Sequence, residues 1–176
     1  MELEGSTMCP TNWTIEAARD AVTDDLHLLL PLLVDHDPDV RAAATFVLAI
    51  ATRDIPRISS ALHERLAVDE DPVVRVSAVL GIAQLAREHH HENAPAWAQE
   101  LWSDPGPPPE IRIGAGLAWL CLADDPAPDE LRTFLTASST TQHNQFFQRV
   151  PWLQSGGVHG LRTSIHSMLT PHALSP

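Results

Sequence analysis

The chain has 176 residues, 44% of them hydrophobic, and a net charge of −12, which suits one domain with a sizeable core and excludes wholesale disorder. The negative field repels phosphate backbones and anionic headgroups, so nucleic acid and membrane surfaces are excluded as electrostatically recruited partners. The longest apolar run, Leu28 to Val34, contains Pro31 and is too short to cross a bilayer.

The first residues lack the charged and apolar blocks of a secretory leader. Cys9 and Cys121 form no spacing motif, so the expected compartment is the cytoplasm. All eleven basic residues are arginine, a bias read as base composition of the coding sequence and not as chemistry. Residues 1–12 are polar and expected to be poorly ordered. From Thr14 to Val22 a short helix is predicted, with Ile15, Ala18 and Val22 on one side, covering the open end of the first repeat.

One phrase is then said three times: Asp37-Pro38-Asp39-Val40-Arg41, Asp71-Pro72-Val73-Val74-Arg75 and, more loosely, Pro109-Glu110-Ile111-Arg112. The arginines lie 34 and then 37 residues apart, a period that marks stacked structural repeats. Asp37 and Asp71 stand where an N-cap carboxylate accepts from free backbone N–H groups, and Pro38 and Pro72 where the missing N–H costs nothing. Behind each phrase apolar residues recur with shared helical offsets: Val40, Ala44, Val47, Leu48, Ala51; Val74, Ala78, Gly81, Ile82, Leu85; Ile111, Ala115, Ala118, Trp119, Leu122. These are the second helices of three helix pairs. The first helices carry apolar residues four apart, Leu28 and Leu32, Leu62 and Leu66, Trp97 and Leu101, and a fourth pair, Leu131 and Leu135, starts another unit. Paired helices at this period predict an all-α solenoid.

The order Leu66, Asp69, Asp71, Pro72, Val74, Arg75, Ala78 resembles the HEAT repeat, in particular the short bacterial kind shared with phycobilisome lyase subunits. The resemblance covers about residues 24–137. It implies a right-handed α-α superhelix of ARM type, with about three repeats over residues 13–137 and degenerate terminal helices. It also implies a ladder between adjacent repeats, with Asp35, Asp69 and Asp104 near Arg41, Arg75 and Arg112. The third copy departs from the pattern, because Pro105-Gly106-Pro107-Pro108-Pro109 lengthens its turn.

Beyond Ala137 the phrase does not return. Residues 138–176 run through a polar stretch, then Phe146, Phe147 and Val150 ahead of Pro151, which ends any helix there. Gly156-Gly157 breaks the chain, and Val158, Leu161, Ile165, Met168 and Leu169 form a last amphipathic stripe. This segment is expected to be a degenerate repeat or C-terminal cap, the alternative being that the chain is one portion of a longer scaffold.

Few residues suggest chemistry. His89-His90-His91 is the obvious metal candidate, yet adjacent residues at a helix end cannot converge on one ion, so a solvated loop is expected and no metal or cofactor. His63-Glu64 and His91-Glu92 are similar to the iron-ligating pairs of HEAT-fold deoxyhypusine hydroxylase, but one falls in a first helix and the other in a loop. The basic concave face of a HEAT-like DNA glycosylase is missing. Cys121, on an apolar helix, is read as an inert buried thiol.

The outward sides of the second helices are apolar too: Ala42, Phe46, Val76, Val79, Leu80, Ile113 and Leu117. A helix apolar all round is buried on both sides or presents a binding surface. Internal packing, cover by the C-terminal helices and a partner are the three readings. The expected function is a non-catalytic interaction or scaffold module whose second-helix surface binds a protein, as an amphipathic helix, a basic partner or a second copy. An enzyme or enzyme subunit of the HEAT-type lyase or hydroxylase class is the alternative.

Overall fold

The computed structural model describes residues 10–154 and 160–170, with side chains from Glu16 onward. The described residues are all-helical, without strand, and none of the helices is long and apolar enough to cross a membrane. In chain order they are α1 (Pro10–Asp24), α2 (Leu26–Leu29) continued by a 3-10 segment (Leu30–Val34), α3 (Pro38–Leu48), α4 (Ile55–Val68), α5 (Pro72–Glu88), α6 (Ala94–Ser103), α7 (Pro109–Leu122), α8 (Asp129–Ser138), α9 (Thr141–Phe147), α10 (Pro151–Gln154) and α11 (Leu161–Leu169).

The repeated phrase starts its helices as chemistry requires. The side chain of Asp37 accepts from the Asp39 N–H at 2.9 Å and that of Asp71 from the Val73 N–H at 2.7 Å, each with proline at the first helical position. Helix α5 packs between α3 and α7, with α4 on α5 and α6 on α7. Helix α5 is therefore enclosed: from Val73 to Ala86 only Arg75 and Gln84 escape full burial.

Glycines set the closest approaches. A Cβ on Gly114 would meet Val76 Cγ1 at 3.1 Å, and one on Gly116 would meet Leu131 Cδ1 at 3.0 Å and Leu135 Cδ2 at 3.1 Å. Side chains of α5 and α8 thus rest directly against the α7 backbone, Val76 at Gly114 and Leu131 and Leu135 at Gly116.

Three expectations change. The pair Leu28 and Leu32 is exposed, while Leu26 and Leu33 are buried instead; the switch from α to 3-10 geometry around Pro31 rotates the later residues relative to the earlier ones. The first helix begins at Pro10 and runs to Asp24, and its Ala18 is exposed. It is tied to α5 by Arg19 Nη2 donating to Glu88 Oε1 at 2.6 Å. The helix before Pro151 already stops at Phe147, and Pro151, expected to end a helix, instead opens α10. Gly156, Gly157, Val158 and Cys9 lie outside the described residues.

Candidate functional site

The aspartate-arginine ladder forms one rung. Arg41 Nε and Nη2 donate to Asp69 Oδ2 and Oδ1, both at 2.8 Å, joining α3 to the turn before α5. Burial pushes the Asp69 carboxyl pKa up, but the hydrogen bond from Arg41, the Asp71 N–H and the charge of Arg65 outweigh it, and the net shift is downward. The other rungs are corrected. Arg75 Nε donates to the Leu66 carbonyl at 2.9 Å, and Arg112 Nε to the Trp102 carbonyl at 3.0 Å with its guanidinium 4.6 Å from the centre of the Phe134 ring. Among the described residues neither arginine forms an ion pair. Asp104 accepts from the Gly106 N–H within its own proline-rich turn, and Asp35 from the Asp37 N–H. The lengthened third turn keeps Asp104 in its own loop, so it does not reach Arg75. Every repeat arginine nevertheless has one constant job: it binds a carbonyl where the preceding helix ends, as Arg41 does with the Asp35 carbonyl at 2.8 Å.

The outward side of the second helices is not a free surface. Ala42, Val76, Val79, Leu80, Ile113 and Leu117 are buried and Phe46 is half-buried. Neighbouring second helices cover part of the face, and the C-terminal segment covers the rest, with α10 on α3 and α5 and α11 on α7. Phe147, Val150, Leu161 and Ile165 belong to the same core as Ala42, Leu80 and Leu117.

Trp152 is the centre of this cover. Its ring stands edge-on to Phe46 with centroids 4.8 Å apart. The far edge of the indole lies where a Gly81 side chain would be, 3.3 Å from a Cβ built there. Just before it, Arg149 Nη2 donates to Asp39 Oδ1 at 3.0 Å and stands 3.7 Å from Asp71 Oδ2. Hydrogen bonding to Asp39, with the nearby charge of Asp71, holds the Arg149 guanidinium above its ordinary pKa. Two residues three apart thus dock one turn of helix, an arginine on the acidic helix starts and an indole in an apolar slot. Sequence reasoning found the apolar face but missed Arg149 and Trp152, since a four-residue helix has no periodicity to read. Beside Trp152 a cavity of about 550 Å³ remains between Leu80, Leu117, Leu153 and Met168.

The other candidates separate. His91 N–H donates to the Ala86 carbonyl at 2.9 Å and His90 N–H to the Arg87 carbonyl at 3.4 Å, with His90 at φ 53°. This is a Schellman ending with histidine where glycine is usual, so the triple histidine terminates α5. His63 Nδ1 lies 2.8 Å from the Ser59 carbonyl oxygen, one turn back on its own helix. Among the described residues no three His, Cys, Asp or Glu side chains gather as metal ligands. Cys121 is exposed, correcting its expected burial: it lies in the last turn of α7, at the edge of the cavity beside Trp152. Partial desolvation by the surrounding walls pushes its thiol pKa up, against the opposing charge of Arg87, which disfavours the nucleophilic thiolate.

No protein-family model, curated protein or solved structure matches the chain.

Proposed function

We propose that the helix pairs wind as a right-handed, HEAT-like α-α superhelix and that the protein is a non-catalytic, cytoplasmic interaction module. Its second-helix face receives a short amphipathic helix from a protein partner, and α10 occupies that face in the absence of the partner. Three observations support the superhelix: the shared caps of Asp37 and Asp71, the packing of α5 between α3 and α7, and the Arg41–Asp69 pair between successive turns.

One observation carries the binding reading: the face already holds a helix whose recognition chemistry is explicit, Arg149 on Asp39 and Asp71 and Trp152 against Phe46 and Gly81. An aromatic anchor in an apolar slot with a charged pair on its rim is the pattern of helix-in-groove recognition. Phe46, Leu80 and Leu117, expected from the sequence as partner contacts, belong to this reading as the floor under α10. An exposed arginine pair contributes only about 0–1 kcal/mol, so the indole supplies most of the hold and a partner competes chiefly through its own aromatic residue.

The test uses the full chain and a labelled peptide of residues 148–154. The wild-type protein should bind the peptide weakly, because the slot is filled. Arg149→Ala/Trp152→Ala should bind it saturably, and adding Phe46→Glu should abolish that binding. A doubly substituted protein that stays folded and ignores the peptide would refute the groove.

A further inference from the structure

On the side of the cap away from the second helices, α8 and α11 enclose a cleft of about 670 Å³, within the size range of small-molecule sites. Its charged lining is cationic: Arg132 and Arg162 face it beside His166, and among the described residues no carboxylate does. That is unexpected in a chain with 23 acidic side chains and 11 basic ones. Six of the arginines, at positions 19, 41, 53, 57, 65 and 149, are ion-paired. Arg162 makes no hydrogen bond or ion pair among the described residues.

Arg132 is fixed for the same purpose. Its Nε donates to the Ala127 carbonyl and its Nη1 to the Leu169 carbonyl, both at 3.1 Å, which anchors the guanidinium to the start of α8 and the end of α11 and, among the described residues, leaves Nη2 over. Ser139 also lines the cleft, and its hydroxyl is buried without a hydrogen-bond partner among the described residues, a condition that native interiors rarely leave unanswered. Ile165 and Leu169 supply an apolar wall. At physiological salt, charges beyond about 8 Å are largely screened, so a ligand in the cleft responds to these arginines more than to the net charge.

We infer that the cleft between α8 and α11 binds a small organic oxyanion, a carboxylate or phosphate monoester with an apolar body. Its charged end pairs with Arg162 and Arg132, it accepts from the Ser139 hydroxyl, and its body lies on Ile165 and Leu169. This site is independent of the second-helix groove.

The experiment titrates the full chain with phenyl phosphate, phenylacetate and benzyl alcohol, followed by calorimetry and by amide NMR shifts. One of the two anions should bind saturably with shifts confined to α8 and α11, and benzyl alcohol should not. The stronger anion identifies the headgroup. Arg162→Gln, which removes an exposed side chain without partners among the described residues and so keeps the fold, should weaken binding by about tenfold or more, as expected for a charge-assisted donor. Binding of neither anion, equal binding of benzyl alcohol, or an Arg162→Gln protein that binds as well as wild type would each overturn the site.

Discussion

Arg41 and Asp69 meet side-on, two nitrogens to two oxygens at 2.8 Å each, with only 14% of the arginine side chain and 2% of the aspartate side chain exposed. Geometry of this kind resists removal of one partner, because the other is left charged and dehydrated. Arg41→Ala is expected to destabilise by about 3 kcal/mol. Arg75→Ala, which loses a single hydrogen bond to a carbonyl, should cost about 1 kcal/mol. Equal losses in chemical denaturation would show that the rung contributes nothing beyond the shared turn-closing bond.

The same pair sets a pH dependence. The folded-state pKa of Asp69 lies below its unfolded value, so its stabilisation is complete above about pH 4, the ordinary carboxyl value, and is lost as pH falls through the folded value. The melting-temperature difference between wild type and Asp69→Asn should therefore be constant from neutral pH to about pH 5 and shrink at lower pH. A difference that persists unchanged into strong acid would mean that the carboxylate charge is irrelevant.

The cover over the second helices is tested by two substitutions with different expected ranges. Leu80 is 8% exposed at the centre of α5, and Leu80→Glu should abolish cooperative folding or lower the melting temperature severely. Trp152→Ala removes a half-buried indole and should cost about 2 kcal/mol, while hydrogen exchange accelerates in α10 and α11 before α5. Uniform acceleration throughout the chain would show that the cover and the stack are one cooperative unit.

The histidine run offers a test of opposite sign. Because His90 holds φ 53°, where glycine is unstrained, His90→Gly should stabilise by about 1 kcal/mol. Micromolar Zn²⁺ should leave the melting temperature unchanged, whereas a site selective for the folded state would raise it. Destabilisation by glycine would mean that the imidazole makes a contact worth more than the backbone strain.

Cys121 is accessible, yet partial desolvation disfavours its thiolate. In a Cys9→Ser background its alkylation rate should keep climbing above pH ~8.5, the midpoint of an ordinary thiol. Arg87→Ala should slow the reaction at neutral pH by removing the charge that favours the thiolate. A plateau reached below that pH would identify an activated nucleophile.

Much of the helical order was readable because Asp37, Pro38, Asp71 and Pro72 act within one turn of themselves: a cap carboxylate needs only its own helix. The core positions of α5 and α7 were equally plain, since Val74, Ala78, Ile82 and Leu85 repeat at helical spacing. What failed was non-local. Asp104 looks like a ladder residue until the proline-lengthened turn holds it in place, and Leu28 and Leu32 look like one buried face until the change from α to 3-10 geometry between them puts Leu26 and Leu33 inward instead. The occupant of the apolar face was hidden for a similar reason, because its only local trace is Gly81, a small residue whose empty side fits an indole about seventy positions later.

The Arg149 bridge has a consequence for the order of events during folding. Its two acceptors, Asp39 and Asp71, start different helices, and the first of them lies 110 residues back along the chain. The helix pairs themselves close through contacts between sequence neighbours, which form quickly, whereas a bridge across two of them has nowhere to attach until both are laid down. The C-terminal turn is therefore the last piece to seat and the first to lift. Until it seats, a nascent chain presents the apolar flank of α3, α5 and α7 to its surroundings, so the same turn that completes the fold also ends its most aggregation-prone interval.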